Sequence, residues 1–131
     1  MAVSLGRLGQ VALPTRDVDR SEAFYGPVLG LRKLYRYGDL AFFDCAGVRL
    51  LLEKVHDPAH FVAKGVYYFA VADIALARKD LASRGVKFKD EPHLIARMPD
   101  HDLWMTFFDD PDGNSLALMM EAPKGYQPSR D

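Results

Sequence analysis

The chain has 131 residues, 49% of them hydrophobic and 27% charged, which suits one globular domain with a sizeable core. Seventeen Lys and Arg against eighteen Asp and Glu leave a net charge of −1, with no basic run of the kind that binds a nucleic-acid backbone. No apolar run spans a bilayer, Met1 to Gln10 lacks the apolar segment of a signal peptide, and the single Cys45 points to a reducing, cytoplasmic setting.

Leu8 to Leu13 alternates like a strand and is predicted to end at Pro14–Asp17. Asp19 is placed to cap a helix, with Glu22 three residues on in capping-box position. Phe24, Tyr25 and Val28 share one stripe of that helix, Gly26-Pro27 weakens its last turn, and Gly30 closes it. Three strands follow at 31–37, 40–45 and 48–53, with hairpin turns at Gly38-Asp39 and Ala46-Gly47. Residues 55–64 are polar, carry Pro58 and read as a linker.

The pattern then restarts. Val66 to Val71 is an apolar strand, and Asp73 caps a second helix with Ile74, Ala77 and Leu81 on one face, ended by Gly85. Val86–Lys89, Trp104–Asp109 and Ser115–Glu121 read as further strands, the last two joined by the turn Asp110-Pro111-Asp112-Gly113. The tail, 123–131, reads as loose. Gly30-Leu31-Arg32 and Gly85-Val86-Lys87 hold equivalent places after each helix, so the chain divides into two repeated units, 7–54 and 65–122. The second is longer, mostly in Glu91–Asp102, and extra length in a repeated scaffold is either a functional loop or a tolerated surface insertion.

Gln10-Val11-Ala12-Leu13, Asp17, Asp19, Phe24-Tyr25, Leu29-Gly30, Phe108, Asp110-Pro111-Asp112-Gly113-Asn114 and the strand Leu116–Glu121 resemble the vicinal oxygen chelate superfamily. That superfamily includes glyoxalase I, bleomycin- and fosfomycin-resistance proteins and extradiol dioxygenases. The resemblance implies an α+β fold of two tandem βαβββ modules, forming a curved, cup-shaped mixed sheet with helices on its outer face. It also implies a divalent metal in the cup, held by His and Glu from the first and last strands of each module. Those places fall on Gln10, on or beside Leu51, on Val66 and on Ala117. None is a His or a carboxylate, and one amide oxygen is a poor site for Zn²⁺, Ni²⁺, Mn²⁺ or Fe²⁺.

Two readings follow. In the first, a cup without cofactor, lined by Gln10, Leu50, Leu52, Val66, Tyr68, Ala117 and Met119, binds a small, partly apolar or aromatic molecule. Gln10 is then its polar anchor. Either Trp104 or Met105, which alternate, joins that lining. In the second, the chain is a lyase or dioxygenase-like enzyme with displaced chemistry. His93 and His101 do acid–base work there, or hold a divalent metal with Glu121, if the longer segment folds inward. Loop histidines and a solvated Glu are the alternative. His56 and His60 flank Pro58, and Cys45 reads as a small buried apolar residue. Partners are expected to be the small molecule and a second copy in a homodimer, with neither nucleic acid nor membrane.

Overall fold

The computed structural model describes residues 3, 5–62 and 65–128, so 63–64 of the linker and 129–131 of the tail lie outside the described residues. The chain divides into two compact units, Met1–Val62 and Ala63–Asp131. Each is a βαβββ module with a four-stranded mixed sheet, and the architecture is α+β.

In the first unit, β1 (Gln10–Thr15) leads to α1 (Val18–Ala23) and then to β2 (Arg32–Tyr37), β3 (Leu40–Cys45) and β4 (Val48–Lys54). The sheet order is β1-β4-β3-β2, with β1 parallel to β4 and the other pairs antiparallel. β1 runs through Pro14 instead of stopping there. It is an edge strand, where a missing N–H need not break a ladder. The helix cap is Asp17, not Asp19: the Arg20 N–H donates to the Asp17 carboxylate at 3.1 Å. Asp19 lies in the first turn, and Glu22 reaches Lys33 and Arg36 of β2 rather than closing a capping box. Pro27, which lacks an N–H, sits in a wider π-type turn over Phe24–Val28.

In β1, Val11, Leu13 and Thr15 share a face with Leu50 and Leu52 of β4 and with Ala41 and Phe43 of β3. That face is the core: Leu13, Leu52, Ala41 and Phe43 are essentially inaccessible. Helix α1 covers it with Val18, Ser21 and the adjoining Tyr25, whose ring lies 6.4 Å from Phe43. The other face carries Gln10, Ala12, Arg49, Leu51, Phe42 and Tyr35.

The second unit repeats the design: β5 (Val66–Ala70), α2 (Ile74–Ser83), β6 (His93–Arg97), β7 (Asp102–Asp109) and β8 (Ser115–Ala122), in the order β5-β8-β7-β6. Asp73 caps α2 as its spacing predicts, accepting from the Leu76 N–H at 3.0 Å. Residues 86–89 form no strand, only a bridge from Phe88 to Phe108. Glu91–Asp102 is not an inserted loop: it contains β6, the counterpart of β2. The added length lies before β6, where Asp90 ties the chain to β7. Its carboxylate accepts from the Thr106 hydroxyl at 2.8 Å and the Phe107 N–H at 2.9 Å.

The β7–β8 turn is organised by buried Asp110. Its carboxylate accepts from the Asp112 and Asn114 N–H groups and from the Asn114 side-chain amide, each at 2.8 Å. Gly113 takes φ 85°, a conformation that strongly favours glycine. The described part of the tail, 123–128, is held rather than loose. Buried Asp102 accepts from the Gly125 N–H at 2.9 Å and meets Lys124 at 3.2 Å, while Tyr126 packs edge-on against Trp104. The Gly125 hydrogen bond first, then Lys124, holds the Asp102 carboxyl below the usual carboxylate range against the opposing effect of burial. No helix among the described residues is long and apolar enough to cross a membrane.

Candidate functional site

The uncovered face of the second sheet gathers the residues best suited to a ligand. Register places Tyr68 of β5, Ala117 of β8 and Phe107 of β7 in one row across three strands. Ala117 carries only a methyl group, so the flanking rings approach each other, their centroids 6.3 Å apart at 78°. His93, on edge strand β6, extends the row: its ring lies 6.0 Å from Phe107 and nearly parallel to it. Met105 and Met119, paired across β7 and β8, lie on the same face, as do Val66 and Ala70. Tyr68, in the middle of β5, is 47% exposed, an unusual value for a large aromatic side chain there, and Val66 at the strand's start is 38% exposed.

Several expected lining residues do not reach an uncovered face. Leu50 and Leu52 pair with Val11 and Leu13, so they belong to the α1-covered core, and Leu51 is the β4 leucine on Gln10's side. Trp104 pairs with Met120 and packs under Tyr126, which leaves Met105 as the member of that pair facing outward. Leu50 and Leu52 lie one residue out of phase with the expected face, because a one-residue slip exchanges the faces of a strand, whereas for Trp104 and Met105 the pairing settles a choice that alternation leaves open. Gln10 is exposed at the start of β1, while Val66, Tyr68, Ala117 and Met119 share one face of the second sheet.

The structure separates the proposed acid–base set. His93 lies opposite Met105, four residues beyond His101, so the two histidines stand on the order of 13 Å apart along the β6–β7 hairpin. His93 Nδ1 contacts the Glu91 carbonyl at 3.0 Å. His101 closes the far end: its Nδ1 meets Asp100 at 2.8 Å and its Nε2 stands 3.9 Å from Glu121. The His101 contact holds the Asp100 carboxyl below the usual range. His93, His101 and Glu121 therefore form no single ligand set, and among the described residues no three His, Cys, Asp or Glu side chains converge on one point. At the positions where the resemblance implies metal ligands stand Gln10, Leu51, Val66 and Ala117, one amide and three hydrocarbons. That donor set does not fit a transition metal.

Two functional candidates escaped the sequence reading. Phe107 was detectable, since alternation puts it on the face of Met105. Arg49 stands beside Gln10 in register, and its guanidinium donates to the Tyr35 hydroxyl at 3.1 Å, a contact across a non-neighbouring strand that sequence spacing does not reveal. A separate depression of about 210 Å³ in the first unit, bounded by Ala12, Pro14, Glu53, Val55, His60 and Val62, is smaller than an ordinary ligand pocket.

Comparison with known proteins fits this architecture. The chain is 27% identical over 129 residues to the catechol-2,3-dioxygenase of Bacillus subtilis, covering 89% of this chain but only 42% of that enzyme. It therefore spans well under half the length of that relative. Among solved structures, a lactoylglutathione lyase from Agrobacterium tumefaciens superposes with a TM-score of 0.71 at 24% identity, over 93% of this chain and 98% of that one. An integron cassette protein from the mobile metagenome of V. cholerae gives 0.77 at 17% identity, over 93% and 100%. At such identities these structures speak to the fold. The family model matches residues 7–118, nearly both modules, and with it the chain belongs to the Glyoxalase/Bleomycin resistance protein/Dioxygenase superfamily.

Proposed function

We propose that this protein binds a small, partly apolar or aromatic molecule, using the uncovered face of its second sheet and no metal at the superfamily's usual positions. The observation that carries the reading is the row Tyr68–Ala117–Phe107, extended by the His93 ring, in which aromatic rings meet over the buried Ala117 methyl. Flat ligands suit such a surface, because ring faces stack and the Tyr68 hydroxyl and His93 imidazole offer hydrogen bonds at the margin. The lone Cys45 accords with a reducing, cytoplasmic compartment. The edge strands β1, β2, β5 and β6 accord with assembly into a homodimer.

The test is a screen of planar aromatic compounds by ligand-detected NMR, followed by titration of Tyr68→Ala and Phe107→Ala. Each substitution should weaken a hit about three- to tenfold, the worth of one ring contact. Unchanged affinity in both variants would remove the site. Near one equivalent of a transition metal in gently purified protein would overturn the metal-free part.

A second reading has one observation in its favour. His101 is paired through Nδ1 with Asp100 at 2.8 Å, with Glu121 3.9 Å from Nε2, and a His–carboxylate pair of this kind suits proton transfer. Relatives named as a dioxygenase and a lyase accord with an enzyme. Under this reading His101→Gln abolishes turnover of an identified substrate and His93→Gln does not.

A further inference from the structure

The uncovered face of the first sheet has a different chemistry from that of the second. Its aromatic element is Tyr35 stacked on Phe42, with centroids 4.6 Å apart and planes 30° from parallel. Phe42 is paired across β3 and β4 with Leu51, so ring and leucine form a continuous apolar floor. Arg49 stands two residues before Leu51 on the same side of β4, directly opposite Gln10. The Tyr35 hydroxyl accepts from its Nη1 at 3.1 Å and holds the guanidinium over this floor.

Among the described residues no carboxylate pairs with Arg49. The carboxylate opposite it, Asp44, is engaged elsewhere: its Oδ1 accepts from the Gly47 N–H at 3.0 Å, and its Oδ2 faces Arg32 at 3.5 Å. Glu53 is on the same side of β4, but four residues further along, about 13 Å away. Arg7, at the same end of the sheet, donates to the Gly47 carbonyl and adds another positive charge. Arg49 thus has no ion-pair partner among the described residues, while Arg32 and Arg7 offset Asp44 locally. A guanidinium fixed in place by a neutral phenol keeps N–H donors in the fork that matches a carboxylate.

From this geometry we propose that the uncovered face of the first sheet is a site for a planar aromatic carboxylate, with the carboxylate on Arg49 and Gln10 and the ring against Phe42, backed by the largely buried Leu51. The Gln10 side-chain amide supplies a neutral donor from the neighbouring strand. The apolar floor excludes water from one side of the ion pair, which strengthens it relative to a bare surface pair. This assignment does not rest on the aromatic row of the second sheet, and it adds a charge requirement that the row lacks.

The experiment is an NMR titration of the full chain with 2-naphthoate and with its neutral counterpart 2-naphthamide, following the Arg49 side-chain Nε–H and the Gln10 amide signals. The expected result is a shift of both signals by naphthoate, with affinity about tenfold above that of naphthamide, the worth of one charge-assisted hydrogen-bonded contact. That preference should fall with added salt, vanish in Arg49→Met and return in part in Arg49→Lys. Retained signal dispersion in each variant establishes that it is folded. Equal affinity for the two compounds, a preference that survives in Arg49→Met, or no shift at Arg49 each overturns the proposal. Arg49→Met and Tyr68→Ala distinguish the two claims: loss of the naphthoate preference in Arg49→Met bears on the charge requirement of the first sheet, and loss of affinity in Tyr68→Ala bears on the aromatic row of the second.

Discussion

Asp110 illustrates how much one side chain can organise. Its carboxylate gathers three donors within a five-residue turn, two of them the backbone N–H groups of Asp112 and Asn114. Asp110→Ala should therefore cost about 2–3 kcal/mol, the scale for stranding buried donors, read as a lowered urea midpoint with an unchanged slope. The sequence motif announced this turn, because Asp, Pro, Asn and Gly each suit such a bend through local bonding or backbone geometry. The helix cap was less legible. Asp17 and Asp19 are equally plausible caps by composition, and the choice follows from β1 continuing to Thr15, which leaves Asp17 in extended geometry at the first turn. Cys45 is half-buried rather than buried; burial first, then Asp44, pushes its thiol up and favours the unreactive protonated form.

Among the elements, the stretch joining α2 to β6 shows how the site is held. Asp90 bonds to the Thr106 hydroxyl and the Phe107 N–H, while Arg78 of α2 donates to the Asp90 carbonyl at 3.0 Å. Helix, connection and strand are thereby joined immediately beside Phe107 and His93. Thr106 is fully buried, so Thr106→Val keeps the shape and removes the hydroxyl. The expected cost is about 1–2 kcal/mol in chemical denaturation, with faster exchange of the Phe107 amide. An unchanged midpoint and exchange rate would mean the tie is incidental. The extra length of the second module was visible in the sequence, but not its use. Composition marks His93–Arg97 only weakly as a strand, and its pairing with β7 depends on residues distant in sequence.

For the whole molecule, the placement of charge sets the response to acid. Lys33 first, then Arg36, draws the Glu22 carboxyl below its usual range against the effect of burial, and Gly125 with Lys124 does the same for Asp102. A carboxylate whose folded pKa is depressed contributes stability that is fully present above its unfolded value, near 4. That contribution is lost as pH falls through the lower folded value. The urea midpoint should accordingly hold steady from pH 7 to about pH 5 and fall below about pH 4, with the fall reduced in Glu22→Gln. A midpoint independent of pH down to 3 would contradict the assignment. Glu22 fastens α1 to β2 in the first unit, and Asp102 fastens the tail to β7 in the second.

The sequence alone determined the repeat, the helices and strands other than β6, the Asp110 turn, the α+β class and the superfamily. All of these depend on local propensity, periodicity and short motifs, which act between residues close in the chain. Tertiary structure decided which face each strand turned outward and which residues met across strands. It sent Leu50, Leu52 and Trp104 inward, parted His93 from His101, set Phe107 beside Tyr68 over Ala117, and brought Arg49 to Tyr35. The physical reason is register: side chains alternate with a period of two, so strand pairing fixed by distant residues determines every neighbour on a sheet.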